Sequence, residues 1–374
     1  MIKVIQVSSD TNIGGAGKCI LTFLEHYDRK RFDMAVVLPK RSLLRQLVEQ
    51  LGVRVIEAEG INETSLGRKG IVSLTKIFKE EKPQIVHTHA SMSARVAAKL
   101  CGGCKIVFTR HSVFEPSPRI SKGLGKVVNG AVNNLLADRI IAVAEAAKKN
   151  LTDCGVSEKK IQVILNGIQP VAPMGEQEKE AVRKQYGVAP GQKVISILAR
   201  LTPVKGHVDL IDAMELILQK GLSPILLIAG TGECEDALRE RIRRKKLERF
   251  VKLVGFVEDV RGIVNITDIS ANASFGTEAT SMALLEGMCL GKPAVVSDFG
   301  GNPGVIFPGR NGLLFPVRDV RAMADCLVRL LTDQAAYETM SQGAREIFRE
   351  KFTARRYTDE IQQVYLDVIQ GGNL

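Results

Sequence analysis

Two hydrophobic rhythms alternate along this chain of 374 residues. Short apolar, β-branched runs at 4–8, 34–38, 54–58, 84–87, 105–109, 139–144 and 162–165 have the length and composition of strands. Between them, stretches at 18–26, 42–50 and 91–100 show helical spacing. The rhythm lapses at 169–175, QPVAPMG, where two prolines and no periodicity read as an interdomain linker. It restarts with strand runs at 194–198, 224–229, 251–254 and 293–297, helices at 207–219, 235–247, 281–290 and 320–332, and a long helical tail from 335 to 369. Strand, loop, helix, repeated, predicts parallel βαβ units. The expected division is 1–170, a linker region 171–186, 187–350 and a terminal helix 351–374. The fold class is α/β, with the same doubly wound, Rossmann-like architecture twice. Ligands of such sheets lie at the carboxyl ends of the strands, so two facing domains place the expected site in a central cleft.

Charge narrows the partner. Lys and Arg number 52 against 41 Asp and Glu, a net charge of +11. That surplus suits a phosphorylated substrate, an anionic membrane surface or nucleic acid, and it is also compatible with a basic enzyme that has no such partner. Nucleic acid is disfavoured, because Trp is absent and aromatics are 5% of the chain, leaving few stacking platforms. No apolar run approaches the roughly 18 residues that span a bilayer. Met1-Ile2-Lys3 leads straight into a strand run instead of a signal peptide. The expected location is cytoplasmic, peripheral to the inner face of the cell membrane. Seven scattered Cys read as reduced thiols. Cys101 and Cys104 form a lone CxxC, better read as a turn through Gly102-Gly103 than as half of a zinc site.

Two glycine-rich segments invite phosphate readings. In Gly14-Gly15-Ala16-Gly17-Lys18-Cys19 the P-loop pattern fails at Asn12 and Cys19. The dinucleotide pattern fails at Ile20, and again at Glu235 after Gly230-Thr231-Gly232. What remains at Gly14 and Gly15 is a turn opening a helix, either a tight turn alone or backbone N–H groups offered to an anion. Arg200 and Lys205 follow the first strand of the second half, at its carboxyl end. An Arg fork and a Lys point charge suit a departing diphosphate.

The segment FGTEATSMALLEGMCLGKPAVVSD is the most informative. Glu278 falls in a loop and Glu286 within the following helix. Eight steps at 1.5 Å span about 12 Å, roughly the reach from a sugar across a diphosphate to a ribose. Carboxylates accept well from vicinal hydroxyls. The N–H groups of Ala279, Thr280, Ser281 and Met282 lie near a helix start, where the dipole favours anions. Leu284, Leu285 and Met288 around Glu286 predict partial burial with a partner.

In order, the landmarks GGAG, IVHTHA, FTRHS, ILNGI, LARLTPVKG, LLIAGTGE, VKLVGFVEDV, the Glu-x7-Glu segment and SDFGGNPGVI cover nearly the whole chain. With this set the chain resembles the retaining GT-B glycosyltransferases of family 4. The resemblance implies transfer of a hexosyl or N-acetylhexosaminyl group from a nucleotide-diphosphate sugar to a glycan or lipid-linked acceptor, in cell-surface polysaccharide or glycolipid synthesis. It implies an acceptor-binding N-terminal domain, a donor-binding C-terminal domain, and a C-terminal helix that packs back on the first. Arg200 and Lys205 would bind the diphosphate, Glu286 the ribose and Glu278 the transferred sugar. His111 would lie near the donor sugar, with Gly15 approaching the phosphate or acceptor. Gly230 and the loop around Val257 would contribute to the nucleotide site. Gly14 and His89 would face the acceptor. No metal and no cofactor are implied, the positive cradle serving as electrophile.

The chain departs from the family pattern at Gln169, where Asp is usual, at Pro303-Gly304, where an acidic residue is frequent, and at Ala144, where Ser is frequent. His87 and His89 alternate on a strand, without a third metal ligand nearby in sequence. They read either as a pair lining the acceptor side or as packed structural histidines. The segment 118–136 mixes Arg119, Lys122 and Lys126 with Ile120, Leu124, Val127 and Val128. It suits an anionic membrane surface or an ordinary amphipathic segment over the cleft, and its glycines weigh against a helix. Two other classes fit the architecture: a GT-B nucleotide-sugar epimerase and a non-catalytic nucleotide-binding protein.

Overall fold

The structure, a computed structural model, describes residues 1–61, 65–113 and 116–371. The chain forms two compact units, Met1–Gly167 with Ala354–Leu374, and Ile168–Thr353.

The first unit holds a seven-stranded sheet of β1 (Ile2–Ser8), β2 (Phe32–Pro39), β3 (Arg54–Ala58), β4 (Ile85–His89), β5 (Lys105–Arg110), β6 (Arg139–Ala142) and β7 (Ile161–Val163). Their order is β3-β2-β1-β4-β5-β6-β7, every pair parallel. Strands covered by helices on both faces read as continuous apolar runs, as in Val4, Ile5 and Val7, which are fully buried. The strand order reverses between β1 and β4. There Ser8 pairs with His89 at the carboxyl edge, beside the Gly-rich turn that leaves β1.

The helical tail expected from 335 to 369 is two helices, Gln334–Lys351 and Ala354–Gln370, the second within the terminal helix expected at 351–374. The break falls where the chain returns to the first unit. Phe352 is wholly buried, and its carbonyl accepts the Ile168 N–H at 2.9 Å. The terminal helix then buries Tyr357, Ile361, Tyr365 and Val368 along one stripe in the first unit. Tyr365 meets Phe23 and Phe32 edge-on, and its hydroxyl accepts from Gln6 Nε2 at 3.1 Å. Residues 372–374 of the expected terminal helix lie outside the described residues.

The second unit holds β8 (Val194–Leu198), β9 (Ile225–Ala229), β10 (Val251–Gly255), β11 (Ile269–Asn272), β12 (Ala294–Ser297) and β13 (Gly312–Phe315), in the order β10-β9-β8-β11-β12-β13. Sequence periodicity did not reveal β11 or β13. The run ISAN carries only two apolar residues, and it is a strand because β8 and β12 flank it on both edges. The segment 171–186 belongs to this second unit, so the crossings between units lie at 167/168 and 353/354. Met174 N–H donates to Asn265 Oδ1 at 2.8 Å, Arg261 donates to the Ala172 and Pro173 carbonyls, and Glu176–Gln185 is a helix.

The glycines of 118–136 permit a helix after all. Residues Gly123–Leu135 are helical. A Cβ on Gly130 would stand 2.1 Å from the Gly155 carbonyl oxygen, so this glycine allows close backbone packing. Among the described residues, no helix is long and apolar enough to cross a membrane.

Candidate active site

In the second unit the site grows from the carboxyl ends of β8 and β11, the neighbours at which strand order reverses. After β8, Pro203–Lys205 makes one 3₁₀ turn, closed by Gly206 at φ 70°. A Cβ on Gly206 would meet the Ala273 carbonyl oxygen at 2.1 Å, so only glycine lets the β8 loop lie against the end of β11. This contact delivers Lys205. Its Nζ donates to Glu278 Oε2 at 2.8 Å and to the Thr277 carbonyl at 3.2 Å.

Glu278 is firmly held. The same Oε2 accepts from Asn272 Nδ2 and Ser274 Oγ, each at 3.0 Å, and the backbone carbonyl accepts the Gly301 N–H at 3.0 Å. The Lys205 and Glu278 side chains are 16% and 8% exposed. A pair this buried persists only when extra donors satisfy the carboxylate, and Asn272 and Ser274 supply them. Neither was expected from sequence. The available signal was a strand-end run, Asn272-Ala273-Ser274, whose polar side chains are buried. Asn302 reinforces the cluster by donating to the Ser297 carbonyl at 3.1 Å, while Ser297 Oγ donates to the Ser274 carbonyl.

Arg200 stands apart from this pair. It is exposed and has no ion-pair partner among the described residues. Its backbone is fixed nonetheless. Leu201 N–H donates to the Thr231 carbonyl at 2.9 Å, and Gly230 N–H to Gly255 at 2.8 Å. Gly230 lies so close to the β8 loop that a Cβ would reach the Ala199 oxygen at 2.0 Å. The loops after β8, β9 and β10 are thus laced together, with Val257 half-buried just beyond. Glu286 is buried on the helix Met282–Cys289, between Leu284, Leu285 and Met288. Ala279, Thr280 and Ser281 lead into that helix, whose N-cap has no side-chain hydrogen bond.

The first unit collects the remaining residues. A Cβ on Gly14 or Gly15 would meet nothing within 4 Å, whereas one on Gly17 would reach Leu44 at 2.9 Å. The motif therefore divides into two open glycines and one packing glycine. His87 is structural: Nδ1 bonds the Tyr365 hydroxyl at 2.7 Å and Nε2 the Thr109 hydroxyl at 2.6 Å. His89 Nδ1 lies 2.8 Å from His111 Nε2, with the rings stacked. Burial pushes His87 down to about 3 and His111 to about 4, and holds His89 well below the usual imidazole range. Near neutral pH all three are uncharged. Among the described residues, no three His, Cys, Asp or Glu side chains gather as metal ligands. The Cys101–Cys104 segment turns through Gly102 and Gly103, both at positive φ.

Known proteins share this framework. Residues 13–171 match the family described as Glycosyltransferase Family 4, and residues 178–347 match Glycosyl transferases group 1. The chain is 26% identical to the UDP-Gal:alpha-D-GlcNAc-diphosphoundecaprenol alpha-1,3-galactosyltransferase of Escherichia coli, over 98% of this chain and 97% of that one. It is 24% identical to the N-acetyl-alpha-D-glucosaminyl L-malate synthase of Bacillus anthracis, over 79% and 78%. Its backbone is similar to that of Anabaena HepE in complex with UDP and glucose, with a TM-score of 0.84, 22% identity, and 98% and 99% of the chains covered. The chain is a glycosyltransferase of the two-domain GT-B fold and belongs to glycosyltransferase family 4.

Proposed function

We propose that the chain transfers a hexosyl or N-acetylhexosaminyl group, with retention, from a nucleoside-diphosphate sugar to a glycan or lipid-linked acceptor in cell-surface polysaccharide synthesis. The observation that carries this reading is the Lys205–Glu278 pair at the switch point of the second sheet. A cation and a carboxylate side by side suit a bond whose leaving group gains negative charge while the sugar gains positive charge. Lys205 and Arg200 would hold the diphosphate. Glu278 would accept from sugar hydroxyls and favour the oxocarbenium-like charge. Glu286 would bind the ribose, and His111 would donate to the sugar. The departing phosphate would take the acceptor proton on the face it leaves, so retention needs no dedicated base and no metal.

A lipid-linked acceptor agrees with the GlcNAc-diphosphoundecaprenol acceptor of the Escherichia coli relative and with one surface of this chain. On the helix Gly123–Leu135, Leu124, Val127, Val128, Val132 and Leu135 are all exposed, at i, i+3, i+4, i+8 and i+11. Exposed Arg119 and Lys122 precede them. Such a stripe with flanking cations fits the headgroup boundary of an anionic membrane, on its cytoplasmic face. The test is a product assay: UDP- and GDP-sugars are offered with a diphospholipid-linked GlcNAc acceptor. A new α-linked product from an α-linked donor is expected. Bare nucleotide binding without transfer or donor hydrolysis would overturn the assignment.

A further inference from the structure

We infer that His89 is a positioning residue that fixes the tautomer of His111, so that His111 meets the donor sugar as an Nδ1–H donor. The inference rests on the reading that His111 faces that sugar. His89 ends β4 and His111 follows β5, neighbouring strands in which His89 pairs with Thr109. That register brings His89 Nδ1 within 2.8 Å of His111 Nε2. Two nitrogens this close share one proton, and two arrangements are available.

In the first, His111 Nε2–H donates and His89 Nδ1 accepts. Neutral His89 must then carry its own proton on Nε2. That nitrogen is buried and has no partner among the described residues, so an N–H would be orphaned there. In the second, His89 Nδ1–H donates and its Nε2 is a bare lone pair. Buried orphan N–H groups are rarer than under-satisfied acceptors, so the second arrangement is favoured. His111 Nε2 then accepts, and its proton must sit on Nδ1. His111 is half-buried, and its Nδ1 has no partner among the described residues. The result is a neutral donor of fixed direction. Its neutrality matters, because an imidazolium would oppose the positive charge that develops on the sugar. His87 cannot substitute, since both its nitrogens are committed to Tyr365 and Thr109.

The test joins spectroscopy to kinetics on the full chain. Long-range ¹H–¹⁵N spectra of ¹⁵N-histidine-labelled protein at neutral pH should show His111 protonated at Nδ1 and bare at Nε2. His89→Leu should release that tautomer and lower kcat by about tenfold or more with little change in donor KM. His89→Asn keeps an amide N–H near the place of Nδ1, so it should restore both the tautomer and most of the turnover. A wild-type His111 protonated at Nε2 would overturn the inference. So would equal losses in His89→Leu and His89→Asn, where His111→Asn is itself strongly impaired. If His111→Asn retains normal turnover while the tautomer is as stated, the placement of His111 on the sugar fails instead.

Discussion

Lys205 Nζ and Glu278 Oε2 meet at 2.8 Å although their sequence positions differ by 73. Each follows one of the two adjacent strands at which the strand order of the second sheet reverses, so topology makes them neighbours. On the roles proposed above, function and stability would be coupled at Lys205 and separable at exposed Arg200.

Arg200→Ala and Lys205→Ala should both lose transition-state stabilisation, roughly 2–4 kcal/mol in kcat/KM. Their folding should differ. Arg200 is exposed, and its removal should leave Tm unchanged. Removal of Lys205 leaves the buried Glu278 carboxylate without its cation, which costs a few kcal/mol. Thermal melts of the two variants check this. Equal Tm values would show that the ion pair contributes nothing to the fold.

Glu278→Gln and Glu286→Gln should split kcat from KM. Glu286 is proposed to bind the ribose in ground and transition state alike, so its loss should raise donor KM. Glu278 is proposed to lie at the sugar, so its loss should lower kcat while nucleoside-diphosphate affinity holds. Titrations with donor and with bare nucleoside diphosphate separate the two. The reverse pattern would exchange their roles.

Transfer should continue in excess EDTA if, as proposed, Arg200 and Lys205 supply the positive charge that a divalent ion supplies elsewhere. Loss of turnover in EDTA, restored by Mg²⁺ or Mn²⁺, would contradict that assignment.

The exposed helix Gly123–Leu135 should draw the protein to anionic vesicles. Leu124→Asp with Val128→Asp removes two apolar side chains that are 77% and 53% exposed, so the fold should persist. Each apolar side chain buried in the headgroup layer contributes roughly 1.5–3 kcal/mol when fully removed from water. Co-sedimentation should therefore fall at least about tenfold. Undiminished binding would place the membrane contact elsewhere.

Acid should destabilise the fold through histidine. Burial lowers His87 to about 3, His111 and His207 to about 4, and His89 well below its usual value. Unfolded histidines take up protons near 6.5. Between that value and the folded values the unfolded chain holds more protons, so stability rises with pH and falls on acidification. Tm should drop between pH 7 and pH 5.5. A flat or rising Tm over that window would mean that these rings are solvated in solution.

The parallel βαβ repetition and the family landmarks were legible because they are local. A buried parallel strand must be apolar on both faces, and a loop that opens a helix must carry glycine or a small polar residue. Glu278, Glu286, Arg200 and Lys205 could be singled out on the same basis, as charged residues set at strand ends or between apolar neighbours. The strand Ile269–Asn272 was hidden because Ser270 and Asn272 interrupt its apolar run, Asn272 serving the Glu278 carboxylate instead. The Lys205–Glu278 pair, the His89–His111 contact and the anchoring of Tyr365 on Gln6 and His87 exist only once the sheets are assembled. Local propensity therefore fixed most of the elements, the strand Ile269–Asn272 being one that its neighbours imposed. Strand order and register decided which side chains touch, because a hydrogen bond needs two groups within about 3 Å, and no local pattern encodes that distance between residues far apart in the chain.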